Sequence, residues 1–495
     1  MTSQPTLTTS QSNPLGLSWP LIFATLLCLG LLIQTTSEIL IDGDTYWHLA
    51  AGHWIWAHHA VPVADPFSYT RLGMPWVDHE WLSQCILAKV FDYGGWTGLV
   101  LVAVVCCSLT LAYLMRFLLK RMQPIHSLLF TTLATAVLLG HLLVRPHVLT
   151  WPLLAVWVGT LIDGAERNRP PPWWLVGIMV LWANLHLSHI LGLALTVPLA
   201  LDAALASSPE RRVAVIKRWG LFFALCTLAA LLTPAGWKSV LPFTEIFTLK
   251  HLARVGEWRS ANFGAVSPLE IWLMLLLGLA FTGYLRLPAV RILLILGLLH
   301  QALAHARFIA VFGLLAPMLL ATGFGKQYEA LNAGKQQAKG LDVLFARLVA
   351  TARPWAIICC AVLIALTAYF TSQAGRHMPL ASITPKAAVD AAIQAGAKGN
   401  VMNQYTFGGY LIFRGIPPFI DGRAEVYGNE IMDAYIDAVD SNRSEKIQNT
   451  LDTYKIDWTL LTPDSILVLY LNMRSDWEKI HEDEVAVVHV RRKKH

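Results

Sequence analysis

The composition of the chain points to a protein that folds in lipid rather than in water. Of its 495 residues, 55% are hydrophobic and 14% are charged, whereas soluble domains are about 25% charged. The net charge of +6 does not indicate a nucleic-acid partner, because the basic residues are scattered over short segments between apolar runs. The seven cysteines include no Cys-x-x-Cys pair, so the sequence predicts neither a disulfide framework nor a zinc knuckle.

Residues 1–371 contain about eleven apolar runs that are long enough, or nearly so, to cross the roughly 30 Å hydrocarbon core of a bilayer. We predict spans near residues 18–36, 97–118, 126–143, 147–164, 172–186, 188–206, 218–234, 268–286, 289–304, 306–323 and 354–371. Short polar turns alone split 172–206 and 289–323, so the count is approximate. The predicted fold class is an α-helical polytopic membrane protein.

The distribution of basic residues orients these spans. Connections that the positive-inside rule places in the cytoplasm carry Arg116, Lys120, Arg121, Arg167, Arg169, Arg211, Arg212, Lys217, Arg218, Arg286, Arg291 and the Lys-rich linker 324–353. The first connection on the opposite side, residues 37–96, is rich in acids instead. We therefore predict a cytoplasmic N-terminus, with the 37–96 loop and the C-terminus on the outer face.

The composition changes after the last span. Residues 372–495 alternate short β-type runs with polar, helix-like segments, and about 120 residues are enough for a core of their own. The β-type runs are Asn400–Met402, Tyr410–Phe413, Trp458–Leu461 and Val485–Val490, and the helix-like ones are Lys386–Ala395, Glu430–Val439 and Ser444–Tyr454. The sequence predicts a small α/β domain outside the membrane.

The acidic motif 42–48 opens the outer loop and is the first candidate site. If residues 47–57 are helical, Asp44 and His48 lie one turn apart on one face. Trp47, Ala51 and Trp54 form a separate stripe, which favours a helix at the membrane–water boundary. Asp44 is the leading catalytic candidate, with Asp42 and His48 in support; the alternative is that the two acids only cap the helix.

Other polar residues at the outer ends of the spans are predicted to face the same side. A charged group at membrane depth costs roughly 2.5–3.5 kcal/mol, so several on one side indicate a shared hydrated cavity. We predict that substrate or phosphate is bound by Arg145, His147, Asn184, His186, Glu257, His305 and Arg307. The alternatives are that the two arginines anchor headgroups and that Asn184 and His186 bond free helix-end carbonyls.

The residue types of this cavity fit two kinds of chemistry. A carboxylate there acts as a base toward an acceptor hydroxyl or amine, or it holds a divalent cation against a phosphate leaving group. Asp44, His79 and Glu80 are the candidate ligands, for Mn²⁺ or Zn²⁺ if the histidine takes part and for Mg²⁺ if only the carboxylates do. The alternative is that His79 and Glu80 are a solvated pair. The sequence has no P-loop and no His-Glu-x-x-His motif.

One span followed by a large outer loop with an acidic motif and an interfacial helix resembles the GT-C superfamily of membrane glycosyltransferases. Within it, Asp44-Thr45-Tyr46-Trp47 is similar to the acidic motif that opens the first outer loop of oligosaccharyltransferases and related enzymes. The chain departs from the motif at Thr45, where a second acid is expected, and it lacks the Trp-Trp-Asp sequon-reading motif. A group of uncharacterised bacterial multispan proteins is similar at residues 42–48, 65–70, 182–186 and 421–423.

The resemblance implies a glycosyltransferase in a bacterial inner membrane, with the C-terminal domain in the periplasm. Its donor is expected to be a sugar linked to a polyprenyl phosphate, and its acceptor an unknown glycan, lipid or protein. Asp44 would activate the acceptor or organise a metal. In the C-terminal domain, Asp421, Arg423 and Tyr427 are candidate acceptor contacts, or else members of a structural hairpin with an Asp–Arg pair.

Two other functions remain open on the sequence. A transporter or flippase of a lipid-linked or polar solute predicts charged residues at mid-span and repeated halves. Here the charged residues cluster at the outer ends and no halves repeat, which disfavours it. The third hypothesis is a non-catalytic membrane assembly protein whose C-terminal domain binds a partner.

Overall fold

The computed structural model describes residues 16–34, 37–246, 248–251, 256–333, 345 and 347–492. Its helices are α1 (Trp19–Ile33), α2 (Asp44–His58), α3 (Trp81–Leu119), α4 (Pro124–Leu139), α5 (Pro146–Glu166), α6 (Trp174–Leu185), α7 (His189–Ala206), α8 (Pro209–Ala230), α9 (Leu241–Ile246), α10 (Pro268–Phe281), α11 (Ala289–Ala304), α12 (Ile309–Leu331), α13 (Pro354–Gln373), α14 (Lys386–Gln394), α15 (Gly408–Phe413), α16 (Ala424–Val439), α17 (Ser444–Thr453) and α18 (Ile466–Asn472). The strands are β1 (Asn400–Asn403), β2 (Ile456–Leu461), β3 (Trp477–Glu482) and β4 (Val487–Arg491).

A helix covers each of the predicted apolar runs. Among the described residues, six helices are long and apolar enough to cross a membrane, and α1, α4, α6, α10 and α11 are shorter apolar helices. Ile358, Leu366 and Phe370 of α13 point outward with half or more of their surface exposed, which suits a lipid environment. The helical membrane fold is therefore confirmed, while the number of crossings stays a prediction.

Two boundaries differ from the sequence prediction. Helix α3 begins at Trp81, inside the predicted loop 37–96, and passes into the span through a kink at Gly95, whose φ of 54° suits glycine. Helix α12 continues to Leu331, inside the predicted linker 324–353. Both extensions follow from continuous helix-forming sequence, since Gly and polar residues alone do not end a helix. Residues 334–344 and 346 of that linker lie outside the described residues.

The C-terminal residues form a four-stranded sheet in the order β1-β2-β4-β3. Strands β1 and β2 are parallel, while β4 is antiparallel to both β2 and β3. Helices α14, α16 and α17 lie where the sequence predicted helices. A sheet with helices agrees with the predicted α/β class, whereas the domain boundary at residue 372 stays a prediction.

One predicted strand is wrong, because Tyr410–Phe413 belongs to helix α15. A short apolar run that is buried on several sides cannot be assigned from periodicity alone. Gly408 and Gly409 open this helix, and a Cβ on either would lie 2.1 Å from the Ile420 carbonyl oxygen or 2.3 Å from that of Gly43. The two glycines therefore let α15 pack directly on backbone, which a strand with side chains on both faces would not do.

The C-terminal domain is docked on the outer loop through a buried arginine. Arg423 donates to Asp65 Oδ1 at 2.7 Å and to Asp421 Oδ2 at 2.7 Å, and all three side chains are fully buried. Its guanidinium also lies over the rings of Phe67 and Trp76, at 5.2 and 4.8 Å. The sequence motifs 65–70 and 421–423 therefore meet in space.

This docking changes the role of one face of α2. The sequence placed Trp47 and Ala51 at the membrane–water boundary, but both are buried against Trp76 and Ile412. The apolar side chains of this face suggested contact with lipid, but other parts of the protein cover it. The helix itself is present as predicted, from Asp44 to His58.

We expect Arg423→Ala to detach the C-terminal domain from the outer loop. Removing one partner of a buried ion pair costs about 3–5 kcal/mol, because the remaining charges of Asp65 and Asp421 are left unpaired. The expected result is a markedly lower melting temperature of the detergent-purified protein and faster proteolytic release of the C-terminal domain.

The matched control is Arg474→Ala, which removes a partly exposed arginine bonded to Asp476 at 2.8 Å. Exposed pairs contribute about 0–1 kcal/mol, so the melting temperature of this variant should stay near that of the wild type. Equal effects of the two substitutions would contradict the docking role of Arg423.

Candidate functional site

Three carboxylates from two segments of the chain meet one guanidinium at the N-terminus of α2. Arg145 contacts Asp44 at 2.8 Å and Asp42 at 3.2 Å, and it is also bonded to Glu257. Asp42 Oδ1 in turn accepts a hydrogen bond from the Asp44 backbone N–H at 2.9 Å, so it caps the helix while it pairs with Arg145. Asp42, Asp44, Arg145 and Glu257 are hereafter the carboxylate–arginine cluster.

Glu80 forms a second centre with three imidazoles. The nearest is His186, whose Nε2 lies 3.2 Å from Glu80 Oε1, and His48 and His79 follow at 3.8 and 3.9 Å. His186 Nδ1 accepts a hydrogen bond from the Ser188 backbone N–H at 3.0 Å, so the proton of a neutral ring is on the Nε2 atom that faces Glu80. Glu80 therefore has a hydrogen-bond donor from the end of α6.

Some polar atoms of this second centre are buried without a hydrogen-bond partner. They are both ring nitrogens of His48 and Nδ1 of His79. Buried polar atoms are nearly always paired, so unpaired ones mark a place where a ligand or water is expected. The sequence predicted His48 as a support for Asp44, and the structure places its ring nearer to Glu80.

Glu257, His305 and Arg307 are brought together by two paired turns. The backbone N–H of Ala306 donates to the Arg259 carbonyl at 2.8 Å, which joins the Gly256–Trp258 turn to the Ala306–Phe308 turn. The guanidinium of Arg307 lies 4.7 Å from the Trp258 ring, and His305 Nδ1 is 3.3 Å from the Trp258 carbonyl oxygen. These turns bring Glu257 to Arg145 and place Arg307 within electrostatic range of Glu257 and Glu80.

Asn184 and His147 are held by contacts within the membrane domain. The Asn184 amide donates to the carbonyls of Val180 and Leu232 and accepts from the Trp81 indole at 3.0 Å. His147 Nε2 lies 3.3 Å from the His141 carbonyl oxygen, and its ring centroid is 6.3 Å from that of His186. The bonds of Asn184 match the structural alternative, whereas His147 stands beside the Glu80 centre.

The C-terminal domain also reaches the carboxylate–arginine cluster, which sequence reasoning missed. A Cβ on Gly422 would lie 1.7 Å from Asp44 Oδ1, so only glycine fits there. Tyr405 and Glu425 are half-buried and lie close enough to interact electrostatically with Asp44 and Glu80, respectively. The run 419–427 stood out in the sequence and could have drawn attention to this contact. The sequence did not indicate which residues Glu425 would lie near.

The three predicted acceptor contacts of this domain are fully buried. Asp421 bonds Arg423, and the Tyr427 hydroxyl also donates to Asp421. Contact of these side chains with an acceptor stays a prediction. Their burial supports the alternative of a structural Asp–Arg pair, although no hairpin forms, because α16 begins at Ala424.

Burial and neighbouring charges shift the pKa values of the three carboxyl groups in different directions. It raises the pKa of Asp44 to about 8, with repulsion from Asp42 adding to the shift and Arg145 opposing it. Burial likewise raises the pKa of Glu80 to about 8, again against the attraction of Arg145. At Glu257, attraction by Arg145 outweighs burial and lowers the pKa to about 2. Glu257 is therefore the ionised partner of Arg145. Asp44 and Glu80 can each gain or lose a proton near neutral pH.

The imidazole of His48 is held neutral. Burial lowers the pKa of His48 well below the ordinary value, and neighbouring positive groups lower it further. A neutral ring can donate a hydrogen bond from one nitrogen and accept one at the other.

The predicted metal ligands are not arranged around one point. Within the described residues, no group of three or more His, Cys, Asp and Glu side chains is placed to hold a metal ion. The described residues therefore form no preformed Mg²⁺, Mn²⁺ or Zn²⁺ site at Asp44, His79 and Glu80, and their role as metal ligands stays a prediction. The physical reason is that Asp44 faces Arg145, while His79 and Glu80 belong to the separate imidazole centre.

Comparison with solved structures identifies the fold. The oligosaccharyltransferase of Archaeoglobus fulgidus in the apo form is 10% identical, with a TM-score of 0.55 over 89% of this chain and 69% of that chain. AglB from the same organism, in complex with an inhibitory peptide and a dolichol-phosphate, is 10% identical with a TM-score of 0.53 over 90% of this chain and 69% of that chain.

A third match is ArnT from Cupriavidus metallidurans bound to undecaprenyl phosphate, with 12% identity and a TM-score of 0.46 over 94% of this chain and 97% of that chain. No family model matches the chain, and no curated protein gives a significant match. At about 10% identity the oligosaccharyltransferase structures show the fold alone, and the predicted GT-C resemblance is confirmed at that level.

The raised pKa of Glu80 predicts how stability depends on pH. The folded state favours protonated Glu80, so this group weakens the protein as the pH rises from its ordinary value of 4.5 to about 8. Glu80→Gln cannot ionise. We expect the melting temperature of the variant to fall less than that of the wild type across this window.

The control for this measurement is Glu445→Gln, which removes an exposed carboxylate in the first turn of α17. Its melting curve should follow the pH dependence of the wild type. A Glu80→Gln curve parallel to that of the wild type from pH 4.5 to 8 would contradict the protonation of Glu80 in the folded protein.

Proposed function

We propose that the protein is a membrane glycosyltransferase that moves a sugar from a polyprenyl-phosphate-linked donor to an unidentified acceptor. The observation that carries the proposal is the meeting of Asp44, Glu80, Arg145 and Arg307 at one end of a helical membrane domain. The domain has the fold of an oligosaccharyltransferase, and one solved example of that enzyme holds a dolichol-phosphate. We place the site at the periplasmic face of a bacterial inner membrane, with the N-terminus in the cytoplasm.

Asp44 is the residue that we assign to the acceptor. When its carboxylate is ionised, it accepts the proton of an acceptor hydroxyl or amine as that atom attacks the sugar carbon. The pKa of about 8 makes the ionised form a strong base and leaves a useful fraction of it near neutral pH. Gly422 closes one side of the carboxylate, so the acceptor approaches from the open side of the α2 N-terminus.

The second product of the transfer is a polyprenyl phosphate, which carries an additional negative charge as the bond between the sugar carbon and the phosphate oxygen breaks. A planar guanidinium pairs well with phosphate oxygens. Arg307 suits this role because Trp258 supports its guanidinium from one side, and the helix that follows it leads into the membrane where the lipid lies.

Glu80 is a second proton acceptor near the same site when it is ionised. His186 carries its proton on the Nε2 atom that lies 3.2 Å from Glu80 Oε1, so it orients the carboxylate as a hydrogen-bond donor. His48, His79 and His147 surround this pair and keep it away from bulk water. We assign these residues to the binding of the sugar hydroxyl groups and to the removal of the proton that Asp44 has accepted.

We expect Asp44→Asn to lose transfer activity while it keeps the fold. The amide cannot accept a proton, and general bases contribute about 10²–10⁴-fold to rate. The purified protein should be incubated with a panel of polyprenyl-phosphate sugars, and the release of polyprenyl phosphate should be followed by mass spectrometry. The wild type is expected to release it with at least one donor, and the variant to do so at a rate lower by that factor.

The matched control is Asp92→Asn, which alters an exposed carboxylate that pairs with His53 and Lys89. It should keep the wild-type rate. In cells that lack the native protein, Asp44→Asn should fail to restore the wild-type phenotype and Asp92→Asn should restore it. Full restoration by Asp44→Asn would favour a non-catalytic assembly protein.

A further inference from the structure

We propose that Arg145 is the resident cation of the carboxylate–arginine cluster and takes the place that a divalent cation would occupy. Three carboxylates from two segments of the chain that converge on one point form a common arrangement for Mg²⁺ or Mn²⁺, which prefer oxygen ligands. Here the point of convergence holds a guanidinium. The positive charge at this site therefore belongs to a side chain of the protein and not to a bound ion.

The contacts of Arg145 show how completely it fills this position. Its Nη1 atom faces Asp42 and Glu257, and its Nη2 atom faces Asp44. A guanidinium stays charged at any physiological pH and has a planar set of donors that matches several carboxylate oxygens at once. A divalent cation at the same place would lie within a few ångströms of this positive charge and would be repelled by it.

The backbone holds Arg145 in place. It precedes Pro146, the first residue of α5, and has an extended conformation with φ of −137°. The backbone N–H of the preceding residue, Val144, donates to the Ile39 carbonyl at 3.1 Å. The start of α5 is thereby fixed against the segment that leads into the acidic motif.

Thr45 adds an independent observation. It stands where the resemblance leads one to expect a second acid, and its hydroxyl donates to the Val144 carbonyl at 3.0 Å. This side chain is buried. The Thr45 side chain therefore fastens the arginine-bearing segment beside Asp44.

Removing the guanidinium should expose a cation site. The side chains of Asp42, Asp44 and Glu257 would then face the vacated space with no positive partner, and one Mn²⁺ could bind between their oxygens. We expect detergent-purified wild-type protein to show no saturable Mn²⁺ binding at the cluster. Arg145→Ala should bind about one Mn²⁺ per chain, at least roughly tenfold more tightly than the wild type.

Electron paramagnetic resonance of free Mn²⁺ measures this binding directly, and the shift of the melting temperature with added Mn²⁺ provides a second readout. Neither measurement needs a sugar donor, so the outcome is independent of the proposed transferase activity. The double variant Arg145→Ala/Asp44→Asn should lose the new site, because one of its three carboxylates is gone.

Arg307→Ala is the matched control, since it removes a guanidinium from the same cavity without removing the one that joins the three carboxylates. It should bind no more Mn²⁺ than the wild type, and equal gains in the two variants would overturn the proposal. A folded Arg145→Ala protein that binds no Mn²⁺ would also overturn it. If Arg145→Ala does not fold, the wild type decides: saturable Mn²⁺ binding that Asp44→Asn abolishes overturns the proposal, and its absence supports it.

Discussion

The structure depends on the pairing of two arginines that flank helix α2, Arg423 fully buried and Arg145 half-buried. Charged groups removed from water need partners, and a buried charge left alone costs far more than an exposed one. On one side of α2, Arg423 joins Asp65 of the outer loop to Asp421 of the C-terminal domain. On the other, Arg145 joins the acidic motif to Glu257. The two arginines fix the N-terminus of α2 between the membrane helices and the C-terminal domain.

The sequence predicts those parts of the fold that depend on local pattern. Apolar runs of sufficient length located each described helix of the membrane domain that is long enough to span, and the stripe of Trp47, Ala51 and Trp54 indicated α2. The convergence of Arg145 and Glu257 on the acidic motif followed from orientation, because charged ends of spans on one side of a membrane must share the limited water there. These conclusions required no knowledge of side-chain contacts.

The remaining features depend on contacts between distant segments, which a single sequence does not reveal. The apolar side chains of Trp47 and Ala51 suit contact with lipid and contact with a second domain equally well. Their burial against Ile412 could therefore not be predicted. Tyr410–Phe413 could be a strand or a helix until Gly43 and Ile420 were seen to pack against its glycines. The acidic and imidazole side chains suggested metal ligands that include Asp44. Only the structure showed that the guanidinium of Arg145 lies against Asp44.

The closeness of Gly422 to Asp44 links the C-terminal domain to the chemistry of the site. Any side chain at that position would collide with the carboxylate, so the backbone of this domain forms one wall around it. Glu425 and Tyr405 stand on the same wall and add to the buried negative and polar groups near Glu80 and Asp44. Because Arg423 sets the distance between this wall and α2, a change in docking alters the solvation of Asp44 and with it the pKa on which proton transfer depends. The C-terminal domain is therefore part of the electrostatic environment of the site, even though none of its buried Asp–Arg pairs needs to touch a substrate.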